Sequence, residues 1–289
     1  MKKRIFLPAL LLAALLCGCA GNANTKPAQG GIVCTTQQLA GLTERLLAGT
    51  AAEQTAPVES VVSEPVSCLH DYTLSVRQMQ LLEGAAVVIE SGLGLEDFMD
   101  DALRAASCPR ITASAGVAAL ASSEDPDEPD PHIWLAPANC AQMARNIADG
   151  LAEVYPDDAA RLRENAEDYA REMDELQAYG EQTLANLSCR KLVTFHDGFS
   201  YFADAFDLEI AAAMEVEAGS EPSAKELEDV VAVVRENAIP AVFSETNGTQ
   251  DAAALVARET GAGVFVLDMG LSDPDAIRKN IDTVKEALQ

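Results

Sequence analysis

The sequence has few histidines, aromatic residues and basic residues, and these shortages make some folds and some binding partners less plausible. Three histidines and one tryptophan occur among 289 residues, and aromatic residues make up 5% of the chain. Few aromatics with 48% hydrophobic residues favour helices packed on a sheet over a β-sandwich. Twenty basic side chains against 46 acidic ones give a formal net charge of −26. A field of that sign repels phosphate backbones, so we expect no nucleic-acid partner.

The usual signatures of hydrolases and of cysteine metal sites are also missing. The chain contains no CxxC, no HExxH and no GxSxG. Five cysteines lie beyond the N-terminal segment, and an odd number cannot all pair with one another. The sequence leaves the pairing of these five open: Cys34, Cys68, Cys108, Cys140 and Cys189.

One long apolar run is present, at residues 5–16, directly after three basic residues. About 12 residues are too few to cross a bilayer as a helix and are typical of a signal-peptide core, with a single-pass anchor as the alternative. The run ends in Leu16-Cys17-Gly18-Cys19, which resembles a bacterial lipoprotein signal. We therefore expect a signal peptide over 1–18, a lipid on Cys19, a flexible tether over 19–30 and a location at the extracytoplasmic face of the cell membrane.

Short β-branched runs alternate with helical patterns in two separate halves of the chain. This alternation predicts an α/β fold with two lobes, each a parallel sheet covered by helices. A helical stretch at 157–187 lies between them, and at 1.5 Å per residue it would span about 45 Å. A helix of that length can join the lobes rigidly. The predicted boundaries are 31–155 for the first lobe, 156–188 for the linking helix and 189–289 for the second lobe.

The three histidines lie beside turn signals or strand ends. His70 follows the predicted strand 58–62, His132 comes just before a helical pattern, and His196 directly follows the strand 191–195. Ligands of open parallel sheets bind at the carboxyl ends of strands, where Asp268 and Glu245 are also expected. A single histidine of this kind is more often a hydrogen-bonded structural residue, but three at such positions favour a ligand role, and three imidazoles with one carboxylate suit a tetrahedral zinc ion.

Carboxylates adjacent to histidines can orient the imidazole rings. Asp71 follows His70, and Asp197 follows His196. Each is a candidate acceptor for the ring nitrogen that does not bind metal. Solvation of these aspartates on the surface is the competing interpretation.

Several segments, taken in order, resemble one family: the zinc- and manganese-binding solute receptors of bacterial ABC importers, the cluster A-I group that is also called TroA-like or ZnuA-like. The resemblance runs from about residue 32 to the C-terminus. The segments that carry it are His70-Asp71-Tyr72, Asp130-Pro131-His132-Ile133-Trp134-Leu135, Thr194-Phe195-His196-Asp197-Gly198-Phe199, residues 226–229, residues 239–245 and Val266-Leu267-Asp268.

This resemblance implies a metal site between the lobes. His70 and His132 would come from the first lobe, His196 and Asp268 from the second, with Glu245 as the alternative carboxylate. Zn²⁺ is the expected cargo and Mn²⁺ the alternative, because manganese-selective members commonly have Glu where this chain has His196. The chain would be a monomer and not an enzyme, and it would deliver its ion to a membrane permease.

Two features of the sequence depart from the family pattern. The loop 122–130 is acidic but lacks histidine, and Cys68 lies two residues before His70. A receptor specific for manganese or iron is the alternative within the family. A zinc-dependent hydrolase, which needs an open coordination position, and a surface adhesin are the alternatives from other classes.

Overall fold

Two parallel four-stranded sheets organise the computed structural model, which describes residues 30–63, 72–122, 126–214, 222–246, 250–270 and 275–289. The first sheet has the order β2-β1-β3-β4 and the second has the order β6-β5-β7-β8. This architecture confirms the predicted α/β class with two lobes. The strands are β1 (Ile32–Thr36), β2 (Val58–Val62), β3 (Val87–Glu90), β4 (Arg110–Thr112), β5 (Lys191–Thr194), β6 (Glu209–Ala213), β7 (Ala241–Glu245) and β8 (Gly263–Leu267).

Helices follow the strands of both sheets. Local sequence explains where several of them begin: Thr36 caps the first, and Ser75 and Ser223 each form a capping box with the third residue of the helix that follows. The helices are α1 (Gln37–Leu47), α2 (Ala52–Thr55), α3 (Val76–Glu83), α4 (Asp100–Ala105), α5 (Pro137–Val154), α6 (Ala159–Thr183), α7 (Ser200–Ala205), α8 (Ala224–Glu236), α9 (Asp251–Thr260) and α10 (Ala276–Leu288).

The long helix α6 has 25 residues and is the linking helix predicted from the sequence. At 1.5 Å per residue it is about 37 Å long. It contacts the first lobe through Asn165, whose Nδ2 donates to the carbonyl of Leu46 at 2.8 Å. It contacts the second lobe at Gly180, where the ring of Phe206 occupies the space that a side chain would need. One helix therefore packs on both lobes.

One large hydrophobic core continues through the two lobes. It includes β1 and β3 of the first sheet, α5 and α6, and α7, β8 and α10 of the second half. A smaller core covers the other face of the second sheet beneath α8 and α9. Among the described residues, no helix combines the length and the apolar character that a membrane crossing requires.

One predicted helix begins later than the sequence pattern indicated. The pattern predicted a helix over 95–106, but α4 begins at Asp100 after a 3-10 turn. In the segment before α4, tertiary contacts hold Glu96, whose carboxylate accepts hydrogen bonds from Thr35 Oγ1 at 2.7 Å, Ser91 N at 2.7 Å and Gly92 N at 2.9 Å. The sequence also predicts a weak strand over 111–117, whereas the observed strand β4 is shorter and covers Arg110–Thr112.

A single arginine joins the ends of two helices in the second half. The guanidinium of Arg190 donates to the carbonyls of Leu184 at 2.8 Å, Phe206 at 2.6 Å and Asp207 at 2.7 Å. Leu184 caps α6 and Phe206 caps α7, and helix C-termini carry partial negative charge. Arg190 therefore fastens α7 to the end of the linking helix.

Candidate metal centre

Three of the predicted ligand positions lie at one edge of the second sheet. His196 follows β5 by two residues, Glu245 is the last residue of β7, and Asp268 is the first residue after β8. The three strands are neighbours and parallel, so their carboxyl ends meet at this edge. The sequence placed Glu245 after its strand, whereas β7 extends through it, where it pairs with Leu267 and is buried.

The structure brings together two histidines from different halves of the chain. The ring centroids of His132 and His196 are 5.3 Å apart, and the rings meet edge to face at 88°. His132 comes from the segment before α5, and His196 from the end of β5. His196 is 7% exposed and His132 is partly buried. Two imidazoles at this separation, shielded from bulk water, can both bind one metal ion.

The ring of His132 is oriented by a buried carboxylate. Asp130 Oδ1 accepts from the backbone N–H of His132 at 2.9 Å and from its Nδ1 at 2.8 Å. A carboxylate at Nδ1 holds the proton there, which leaves the lone pair of Nε2 for a metal. The sequence suggested Asp71 and Asp197 for such roles and missed Asp130. An aspartate two residues before a histidine, which can accept from that residue's backbone N–H, was the available signal.

A tyrosine from the second half forms hydrogen bonds with the segment that carries Asp130 and His132. The hydroxyl of Tyr201, in α7, donates to the carbonyl of Asp130 at 2.8 Å and accepts from Leu120 N at 2.9 Å. Tyr201 is buried. The position of Asp130, and through it His132, therefore depends on contact between the two halves.

The backbone of Asp268 is fixed by a buried asparagine on α10. Asn280 Oδ1 accepts from Asp268 N, and Asn280 Nδ2 donates to Asp268 O, both at 2.8 Å. The Asp268 carboxylate in turn accepts from Gly270 N at 2.8 Å. The two hydrogen bonds from the Asn280 side chain fix the backbone turn after β8, and this turn determines where the Asp268 carboxylate lies.

A glycine next to His196 leaves room for two side chains. A Cβ added at Gly198 would lie 2.5 Å from Met269 Cε, 2.8 Å from His196 Cδ2 and 3.0 Å from His196 Nε2. The methyl group of Met269 and the Cδ2–Nε2 edge of the His196 ring therefore converge on the backbone of Gly198. No local sequence pattern predicts this close approach.

Two of the four predicted ligands are adjacent, and the complete set stays a prediction. His70 and Cys19 lie outside the described residues, as do Cys68 and Asp71. Across the described ranges, no group of three or more His, Cys, Asp or Glu side chains is arranged to hold a metal ion. What the structure establishes is the pair of His132 and His196, with Asp268 at the same edge of the sheet.

Cysteine takes no part in this arrangement within the described residues. Cys34, Cys108, Cys140 and Cys189 are free thiols there. Burial raises the pKa of Cys34 and of Cys140 to about 12, which keeps both protonated and poor as metal ligands.

Several known proteins, two of them named for the metal they bind, are similar to this chain. The iron-binding protein YfeA of Yersinia pestis is 29% identical over 230 residues, which cover 77% of this chain and 74% of YfeA. The manganese-binding lipoprotein MntA of Halalkalibacterium halodurans is 26% identical over 303 residues, covering 100% and 99% of the two chains. A crystal structure of ZnuA superposes with a TM-score of 0.79 at 28% identity, covering 89% of this chain and 98% of that one.

The relatives differ in the metal that their names give, whereas one family profile covers most of this chain. The profile described as ZnuA, zinc-uptake complex component A, periplasmic, matches residues 32–287. That match spans both lobes and the linking helix, and it confirms the predicted fold and the predicted kind of receptor. The chain belongs to the ZnuA family of periplasmic metal-uptake components.

Proposed function

We propose that this chain is the extracytoplasmic receptor of an ABC importer, that its cargo is Zn²⁺, and that it delivers the ion to a membrane permease. The observation that carries the proposal is the pair of His132 and His196, one from each half, with ring centroids 5.3 Å apart. The hydrogen bond from His132 Nδ1 to Asp130 supports it, because such a contact prepares the opposite ring nitrogen for a metal.

The proposed ligands are His70, His132, His196 and Asp268, with Glu245 as the alternative carboxylate. Three neutral nitrogen donors and one oxygen donor match the four-coordinate preference of zinc. Manganese prefers more oxygen ligands in an octahedral shell, so a histidine at position 196 favours zinc. The named cargoes of the relatives include iron and manganese, which is why zinc is a proposal here.

We further propose that the site binds without catalysis. A hydrolytic zinc site keeps one coordination position open for water, and closure of the shell by Asp268 fills that position. The chain would be held at the membrane by a lipid on Cys19 and would act as a monomer. Mass spectrometry of the mature N-terminus tests the lipid.

The cargo can be tested by elemental analysis of protein purified without added metal, followed by competition between Zn²⁺ and Mn²⁺. We expect bound zinc and preference for zinc in the competition. Bound manganese that zinc fails to displace would contradict the choice of metal. Absence of metal-dependent ester or peptide hydrolysis is expected in the same preparation.

The ligands can be tested by single substitutions with isothermal titration of zinc. His196→Ala should lower zinc affinity by more than about 100-fold, since loss of an outer-shell partner alone costs 10–100-fold. Asp268→Ala should cause a larger loss than Glu245→Ala. Glu128→Ala is the matched control, because Glu128 is an exposed carboxylate in the loop before Asp130. Unchanged affinity in His196→Ala would show that the site is elsewhere.

A further inference from the structure

The only tryptophan of the chain connects the two segments that carry proposed ligands. Trp134 is 3% exposed, and its Nε1 donates to the carbonyl of Met269 at 2.7 Å. Trp134 lies two residues after His132, and Met269 directly follows Asp268. One hydrogen bond therefore ties the His132 segment of the first half to the Asp268 segment of the second.

The indole ring also packs on both segments. Its centroid is 5.4 Å from that of His132. In the Asp268 segment, a Cβ added at Gly270 would lie 3.6 Å from Trp134 Cδ1, and Gly270 has φ +71°. The left-handed backbone of Gly270 turns the chain after Asp268 and lets it approach the indole closely.

A cavity of about 220 Å³ adjoins the indole between α1, α6 and α10. Trp134 and Gly270 form part of its wall, together with Leu42, Tyr169 and Ile277. Neighbouring side chains therefore do not fill all the space around the indole, and its hydrogen bond to Met269 is a directional contact that holds the ring to the second half. Breaking that bond inside the protein would leave a buried donor and a buried acceptor unpaired, which is costly.

We propose that Trp134 is a positioning residue that sets the rate of metal release. This inference rests on the proposed function, because it assumes that an ion is held between the two segments. An ion shared by them leaves when they separate, and separation at this point breaks the bond between Trp134 and Met269. The indole thus slows the opening of the site without touching the metal.

Trp134→Phe tests this proposal, because it keeps an aromatic ring and removes the N–H donor. Protein loaded with Zn²⁺ is mixed with excess chromogenic chelator, and the release rate is read from the chelator's absorbance. We expect release about tenfold faster than in the wild type, the effect of losing one buried hydrogen bond. The absorption spectrum of Co²⁺ in the site should stay unchanged, because the ligands themselves are intact.

The matched control is Tyr179→Phe. Tyr179 donates its hydroxyl to Asp282, which joins α6 to α10 at an exposed position. This variant also loses one side-chain hydrogen bond between elements, and we expect zinc release at the wild-type rate. Equal release rates in Trp134→Phe and the wild type would overturn the proposal. Wild-type protein that binds neither Zn²⁺ nor Mn²⁺ would instead overturn the proposed function, and the positioning role with it.

A second measurement needs no variant, so a folding defect in Trp134→Phe cannot hide the answer. In wild-type protein with ¹⁵N-labelled tryptophan, the single indole N–H gives one NMR signal. We expect its hydrogen exchange to be slow with zinc bound and at least tenfold faster after the metal is removed by chelation. The same exchange rate in both states would contradict coupling between this bond and the metal.

Discussion

Asp130 binds His132 through a single oxygen, Oδ1, which accepts from the backbone N–H at 2.9 Å and from the ring Nδ1 at 2.8 Å. One atom thus fixes the main chain and the imidazole together. Asp130 is buried, and its own carbonyl accepts from the hydroxyl of Tyr201. The orientation of the His132 ring is therefore set by the fold before any ion arrives.

Asp130→Ala is expected to lower zinc affinity by about 10–100-fold, the range for loss of a partner that orients a metal-binding histidine. Without the carboxylate the ring can rotate, and the proton is no longer held at Nδ1. Zinc titration by calorimetry measures the effect. Glu128→Ala, in the same loop but exposed, is expected to leave the affinity unchanged. Equal affinities in the two variants would contradict the role of Asp130.

Gly198→Ala should weaken metal binding because the new methyl group has no space. It would lie 2.5 Å from Met269 Cε and 3.0 Å from His196 Nε2, so the imidazole must move. We expect at least about a tenfold loss of zinc affinity and a cost to stability of about 1–3 kcal/mol, which is usual for overpacking. Zinc titration and thermal denaturation measure the two quantities.

Gly41→Ala is the control for that substitution. Gly41 lies inside α1, and a Cβ there meets nothing within 4 Å. Alanine should raise the free energy of unfolding by about 0.5–1 kcal/mol, because glycine is a poor residue inside a helix. Zinc affinity should not change. A comparable loss of affinity in both variants would mean that His196 is not crowded by position 198.

Glu96→Gln is expected to lower the free energy of unfolding by about 1–3 kcal/mol at pH 7, because an amide group replaces one acceptor oxygen opposite Ser91 N or Gly92 N. Burial raises the pKa of Glu96 from its ordinary value of 4.5. The folded protein therefore binds this proton more tightly than the unfolded chain does. The contribution of Glu96 to stability grows as pH falls through its folded-state pKa and is lost as pH rises through it.

Glutamine does not titrate, so the stability deficit of Glu96→Gln should grow as the pH is lowered from 7 towards 4.5. Urea denaturation of both proteins across this range measures the difference. Glu83→Gln, an exposed substitution in α3, should change the free energy of unfolding little. A deficit that shrinks as the pH falls would contradict the direction of the pKa shift.

The described cysteines should differ in reactivity. With a pKa of about 12, Cys34 and Cys140 have a thiolate fraction of about one in 10⁴ at pH 8, and burial also shields them. Iodoacetamide at pH 8 should modify Cys108 and Cys189, which are partly exposed, before the two buried thiols. Peptide mapping by mass spectrometry gives the order. Rapid modification of Cys140, whose thiol donates to the carbonyl of Trp134, would show that this region opens readily.

Much of the fold could be predicted because its signals are local. Buried β-branched runs mark the parallel strands, and β2 was predicted over the same residues that form it. The positions of His196 and Asp268 followed from the strands before them. The contacts that shape the site are tertiary and leave no local signal: Trp134 with Met269, and Gly198 with the His196 ring, join residues whose proximity depends on the finished fold.

Arg190 should tolerate substitution poorly, because its guanidinium donates to three backbone carbonyls. A lysine has one point charge and cannot donate to three separated acceptors in a plane, so even this exchange of like charge should be poorly tolerated. Arg190 lies outside the proposed ligand set, yet α7, which it holds, carries the tyrosine that supports Asp130. Evolutionary constraint on this protein should therefore reach well beyond the residues that bind its cargo.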